Sequence, residues 1–289
     1  MGWRVVIVDS PCKISVSGNY LILRADETRK IHLPEVYYLM ITCSAVNITG
    51  IALCELARQK IKVVFCDEKR NPYGELTCYY GCFNCAKKLR MQIEWDKETV
   101  SSVNTAIIAG KILNQAKLLR KYGFEERAEI LDEYASEIEL NDASNREGHA
   151  AKVYFNTLFG KNFSRGISND INSALNYGYS ILLSDINRAV VACGRLTQLG
   201  INHKNEFNEF NFSCDLIEPW RVVVDEYVYN QGDRCFDKNY KFELVGLLNK
   251  RLTYGRDYTL HDAINVYVKN VLDCLDCASS EKLELYQFV

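Results

Sequence analysis

The 289-residue sequence predicts an α+β protein, with a small N-terminal β-sheet domain over residues 1–80 followed by a larger all-α C-terminal domain over residues 81–289. Three observations predict it. Three of the four prolines (Pro11, Pro34, Pro72) fall in the first quarter, which leaves the remainder free to form long helices. Short β-rich runs punctuated by turn residues occupy the start of the chain. Beyond Cys85 the apolar residues recur with a period near 3.6.

In chain order, residues 3–8, 13–16, 20–23 and 36–42 read as strands, with Ser17-Gly18-Asn19 as a hairpin turn. Residues 48–59 have helical spacing, and the β-branched and aromatic run 61–65 follows as a strand ending at Cys66-Asp67. Ile107, Ile108, Ile112, Leu113, Leu118 and Leu119 then mark one long helix; Leu175, Tyr179, Leu182, Leu183, Ile186 and Val190 mark another.

Composition narrows the function classes. With 48% hydrophobic and 25% charged residues the chain has a globular balance, so disordered and collagenous readings fail. The net charge of −2 means that any affinity for nucleic acid must come from local patches. One such patch spans residues 81–123, where Lys87, Lys88, Arg90, Lys97, Lys111, Lys117, Arg120 and Lys121 outnumber the acids. Residues 124–142 reverse the sign. The apolar run near the start is broken by Arg4, and the stretch 173–194 contains Asp185 and Arg188, so neither export nor membrane insertion is expected. Twelve dispersed cysteines suit a reducing cytoplasm.

Two clusters could carry chemistry. Ser144-Asn145-Arg146-Glu147-Gly148-His149 opens a helix that stops at Gly160, and Ser144 with Glu147 three residues on reads as a capping box. The same glutamate, beside Arg146 and His149, could instead face a metal or a phosphate. Farther on, His203 follows Gly200, and Asp215 and Glu218 share a face if residues 214–218 are helical, so that two carboxylates could converge. Imidazole with carboxylates suits Mn²⁺ or Mg²⁺. The bland alternative pairs Arg221 with Asp225 across a helix turn. Cys82-x-x-Cys85, with Cys78 upstream, and Cys274-x-x-Cys277 have the spacing of zinc half-sites, but most of the chain separates them and Cys274 sits in an apolar run.

Together, Asn145-Arg146-Glu147-Gly148-His149-Ala150-Ala151, His203 and Asp215-Leu216-Ile217-Glu218-Pro219-Trp220-Arg221 with Asp225 resemble the motifs of the CRISPR-associated integrase, the catalytic subunit of the spacer-acquisition complex. Gly2-Trp3-Arg4-Val5-Val6, Val64-Phe65-Cys66-Asp67, Ile112-Leu113-Asn114-Gln115, Tyr154-Phe155-Asn156-Thr157-Leu158-Phe159-Gly160 and residues 207–212 resemble its type II branch. The resemblance implies a homodimer joined through the N-terminal sheet domains and a helical catalytic domain. It implies Glu147, His203 and Glu218 as catalytic ligands of Mg²⁺ or Mn²⁺, with Asp215 as the neighbouring acid that orients a ligand or metal-bound water. Many relatives carry Asp where this chain has Glu218. Arg146, Lys87, Lys88, Arg90 and Arg221 are the residues expected to touch DNA. The implied reaction inserts double-stranded prespacer DNA into the CRISPR repeat by 3′-hydroxyl attack, alongside endonuclease activity, with a small CRISPR-associated partner protein bridging two dimers. A general metal-dependent nuclease and a non-catalytic, zinc-stabilised DNA-binding module are the competing classes.

Overall fold

Turn chemistry and alternation build the N-terminal unit as two four-stranded sheets. Its elements are β1 (Arg4–Val8), β2 (Cys12–Ser17), β3 (Tyr20–Arg24), β4 (Thr28–His32), β5 (Val36–Ile41), β6 (Val46–Ile48), α1 (Gly50–Arg58), β7 (Lys62–Cys66) and β8 (Pro72–Glu75). The computed structural model describes residues 4–76 and 83–289, and the chain divides into two units, Met1–Phe83 and Asn84–Val289. Trp3, Cys78 and Cys82 lie outside the described residues.

One sheet has the order β1-β5-β7-β8, the first three strands parallel and the last antiparallel. Strand β5, flanked on both sides, buries all six of its residues, which is why it reads as an unbroken apolar run. The other sheet has the order β4-β3-β2-β6. Ser17 pairs with Tyr20, and Gly18 and Asn19 both have positive φ, at 57° and 66°, the two-residue hairpin turn whose twist matches its strands. Thr49 caps α1 by accepting from the Ala52 amide, and α1 packs on β2 and β7. Strands β4, β6 and β8 carry little strand signal in the sequence. The first is polar and largely exposed, the second has three residues, and the third contains both proline and glycine.

The C-terminal unit comprises α2 (Cys85–Ile93), α3 (Lys97–Lys121), α4 (Glu125–Ser136), α5 (Arg146–Phe159), α6 (Asp170–Ala192), α7 (Asn211–Leu216), α8 (Arg221–Gln231), α9 (Lys238–Gly246), β9 (Arg251–Tyr254), β10 (Arg256–Thr259) and α10 (Leu260–Asp276). It is mostly helical, and the expectation of an all-α domain is corrected by the β9–β10 hairpin, which turns at Gly255 with φ of 70°. Asp96 caps α3 by accepting from the Thr99 amide at 2.8 Å. This 25-residue helix is the spine of the unit, packing against α4, α5, α8, α10 and the 3₁₀ turn Glu218–Trp220. Helix α6 crosses α8 closely at Gly178, where an added Cβ would overlap Val224. Among the described residues no helix is long and apolar enough to cross a membrane.

Candidate active site

The first turn of α5 places Glu147, and Asp142 organises that turn. Its carboxylate accepts from the backbone amides of Arg146 at 2.7 Å and Glu147 at 3.0 Å. An acid at a helix start satisfies otherwise orphaned amides and complements the dipole. This corrects the capping-box reading. The helix begins at Arg146, so Ser144 lies outside it, the Ser144 hydroxyl has no hydrogen-bond partner among the described residues, and Asn145 at the cap has a left-handed φ of 54° with no side-chain cap bond. Glu147 is thereby released from capping and turns its side chain elsewhere.

It turns to α3. The Lys111 ammonium lies 2.5 Å from Glu147 Oε1 and 2.5 Å from Glu218 Oε2, with the lysine side chain only 12% exposed. Glu218, at the start of the 3₁₀ turn between α7 and α8, uses its other oxygen, Oε1, to accept from Arg221 Nε at 3.0 Å and Nη2 at 2.9 Å. Its Oε2 is buried and, among the described residues, faces the Lys111 ammonium. Burial by itself pushes the Glu218 carboxyl up, but the charges of Lys111 and Arg221 override it and pull its pKa down to about 2. Two carboxylates from separate segments therefore share one buried cation.

His203 stands in the loop before α7, fixed by Asp215. That carboxylate, 1% exposed in its side chain, accepts from the backbone amides of Ile201 at 2.7 Å, Asn202 at 3.1 Å and His203 at 3.0 Å, and pairs with His203 Nδ1 at 2.6 Å. Glycine is required at position 200, because a Cβ there would overlap the His203 carbonyl and approach the Asp215 carboxylate. The hydrogen bond to Asp215 raises the His203 pKa above the ordinary imidazole value, burial opposes the rise, and the charges of Asp215, Glu218 and Glu147 add to it. In its neutral form, an imidazole that donates Nδ1–H to Asp215 carries its lone pair on Nε2.

The expected convergence of Asp215 and Glu218 on one point does not occur. Helix α7 ends at Leu216, and the two acids serve different partners, Asp215 the 201–203 backbone and Glu218 the α3 lysine. Nor does Arg221 pair with Asp225. Asp225 accepts instead from the hydroxyls of Tyr154, at 2.9 Å, and Tyr179. Among the described residues no three His, Cys, Asp or Glu side chains close on a single point; Glu147 and Glu218 meet at Lys111, and His203 lies near enough for the charges of both to act on it. The donor chemistry nonetheless fits a hard divalent ion: two carboxylates from separate segments already share one cation, and the Glu218 oxygen that faces it is buried.

The basic residues are dispersed. Lys111 is buried in the site, Lys117 bonds Gln287 at 3.2 Å, and Lys121 pairs with Glu226 at 2.9 Å, so these three do not form one solvated face. Lys88 donates to the Cys193 carbonyl at 2.9 Å and anchors α2, whereas Lys87 and Arg90 are exposed. Arg146 pairs with Glu137 at 2.6 Å and lies over the Tyr134 ring. Arg221 lies over Tyr179, 4.6 Å from the ring centre. Cys274 is a buried free thiol and Cys277 an exposed one, and the described residues contain no thiol cluster that could hold zinc.

Two supports escaped reasoning from the residues. In the sequence Lys111 is one basic residue among many, and its burial is what distinguishes it. Asn114, one turn along α3, donates to the carbonyls of Pro219 and Tyr286, both at 2.9 Å, and accepts from the Phe288 amide at 2.9 Å. It thus ties the Glu218 turn and the C-terminal segment to the helix that carries Lys111.

A family model described as CRISPR associated protein Cas1 matches residues 5–243. The chain belongs to the Cas1 family. It is 32% identical over 236 residues to the CRISPR-associated endonuclease Cas1 of Neisseria meningitidis serogroup C (strain 8013), covering 80% of this chain and 78% of that one. Among solved structures, a Cas6-RT-Cas1–Cas2 complex is similar with a TM-score of 0.76 at 19% identity, covering 99% of this chain and 36% of the chain matched there, so this sequence spans about a third of that polypeptide. A casposase bound to integration product is similar with a TM-score of 0.74 at 19% identity, covering 97% of this chain and 92% of that one. At these identities the two structures speak for a shared Cas1-type fold, a small sheet unit followed by a mostly helical one.

Proposed function

We propose that this Cas1-family chain cuts and joins DNA in CRISPR adaptation, inserting prespacer DNA into the repeat array with a divalent ion held by Glu147, Glu218 and His203. The observation that carries the reading is the approach of two carboxylates, from α5 and from the turn before α8, onto one buried cation, with an Asp-oriented imidazole alongside. When bound, Mg²⁺ or Mn²⁺ supplies positive charge at the attacked phosphorus and orders the attacking and leaving oxygens. The chain's own groups prepare for this. Glu218 stays ionised down to low pH because Lys111 and Arg221 face it, Asp215 holds the His203 ring by Nδ1, and Asp142 places Glu147 without using its side chain. Arg221, fixed by Glu218 and seated over Tyr179, presents a guanidinium beside the carboxylates that suits a phosphate.

The partners follow from the likeness to relatives. A Cas1–Cas2 complex and a DNA-bound casposase share this fold. They support double-stranded DNA, both prespacer and repeat, as substrate and a small Cas2-like protein as the bridge between two homodimers. Dimerisation through the N-terminal sheets, the type II branch and a cytoplasmic location belong to the same reading; the free thiols of the described cysteines fit the last.

A strand-transfer assay with labelled prespacer, repeat DNA, Mn²⁺ and the small partner tests it. Glu147→Gln and His203→Ala should lose cutting and joining alike while retaining the native circular dichroism spectrum. A fully active Glu147→Gln chain sinks the assignment of that residue, and cutting without joining by the unmodified chain means a general nuclease.

A further inference from the structure

We propose that Lys111 is a built-in stand-in for the metal: its ammonium holds Glu147 and Glu218 together before an ion binds and must withdraw for an ion to reach both. The inference rests on the metal-site reading above and names a residue that the reading does not require. Its basis is the geometry. One ammonium sits 2.5 Å from a carboxylate oxygen of each glutamate, and among the described residues it is the charged group that meets Glu218 Oε2, since Arg221 engages Oε1.

Charge explains why such a group is needed. Glu218 is 7% exposed overall, and Glu147 approaches the same point from α5, so with no cation between them the two anions would repel across a poorly solvated gap. Arg221 is already committed to Glu218, which leaves Lys111 to neutralise the remaining charge. A lysine suits the task better than an arginine, because a point charge on a flexible stem engages without a fixed fork and leaves without dismantling one.

The fold also gives the ammonium somewhere to go. Lys111 lines a cleft of about 180 Å³ whose other walls include Gln115, Arg165, Tyr179, Arg221 and the Asp225 carboxylate. An ammonium withdrawn from between the glutamates would find in that cleft the side-chain oxygens of Gln115 and Asp225. Occupancy of the position between the glutamates is then exclusive, and the lysine lowers metal affinity while keeping the metal-free site assembled.

The experiment measures Mn²⁺ binding directly, by electron paramagnetic resonance of the free ion titrated with the full chain, and melting temperature with and without Mn²⁺. It uses the unmodified chain, Lys111→Met, Lys111→Arg and Glu147→Gln. Lys111→Met should bind Mn²⁺ more tightly, on the order of tenfold, because a like charge has left the immediate surroundings of the ion. Its metal-free form should melt lower than the unmodified chain, and Mn²⁺ should raise its melting temperature by more. Lys111→Arg, which keeps the charge, should return the weaker affinity of the unmodified chain. Unchanged or weakened Mn²⁺ affinity in Lys111→Met, with Glu147→Gln losing binding, overturns the stand-in role and leaves the metal site standing. If neither the unmodified chain nor Glu147→Gln binds Mn²⁺, the site reading falls and the stand-in falls with it.

Discussion

Glu218 and Asp225 are seven positions apart, both buried, and line the same cleft, yet they are driven in opposite directions. Two cations face Glu218 and pull its pKa down to about 2 in spite of burial. Asp225 receives two tyrosine hydroxyls and, among the described residues, no ion pair, so burial outweighs the more distant charges of Arg221 and Arg165 and pushes its pKa up to about 6. Burial therefore does not decide the charge of an acid here. Its partners do: an ammonium and a guanidinium compensate a buried carboxylate, whereas neutral donors compensate it only in part. One acid is prepared to hold a cation, and the other ties α8 to α5 and α6.

The largest break in this comparison comes from Glu218→Ala. It leaves Arg221 without its carboxylate and Lys111 with Glu147 alone, and one-sided removal from a buried pair costs about 3 to 5 kcal/mol. Chemical denaturation should register that loss, and strand transfer should be absent at every Mn²⁺ concentration. Asp215→Asn comes next. One amide oxygen cannot replace a carboxylate that accepts three backbone amides and an imidazole, so activity should fall about 10 to 100-fold and recover in part at higher Mn²⁺. A manganese titration in which Glu218→Ala recovers and Asp215→Asn does not would exchange their roles.

Asp225→Asn sharpens the contrast through pH. The Asp225 carboxyl titrates at about 6 when folded against 3.8 ordinarily, so its contribution to stability is complete below 3.8 and lost as pH rises through about 6. Glu218 has the opposite sign, with its contribution present above 4.5 and lost as pH falls toward about 2. The difference in melting temperature between the unmodified chain and Asp225→Asn should therefore shift toward the variant as pH rises from 4 to 7. A difference that does not change over this range removes the raised pKa. The smallest effect belongs to the surface. Charge removal at Lys87 and Arg90 should leave stability unchanged and lower the log-log salt dependence of duplex binding by about 0.9 for each phosphate that is no longer neutralised. An unchanged slope makes both residues merely solvated.

Much of the N-terminal unit was legible in the residues because its strands are apolar and bounded by turn chemistry, as at Gly18-Asn19 and along β5. Strand β4 was not, because its polar residues gain their place only from pairing with β3. The motif resemblance singled out Glu147, His203 and Glu218, but local pattern assigned Glu147 to a capping box that Asp142 makes unnecessary. It also placed Asp215 and Glu218 on one face of a helix that ends between them.

What the sequence by itself determined is the order of sheet and helix, the long α3 and α6, and the acids and imidazole available for chemistry. These follow from periodicity, proline placement and side-chain type, which are local quantities. Only the tertiary structure decided which acid meets which cation. Lys111 lies 36 residues from Glu147 and 107 from Glu218, and no local spacing distinguishes it from Lys117 or Lys121. Its role arises because helix packing buries that one ammonium between two carboxylates, and a buried charge must find its compensation in whatever the fold brings beside it.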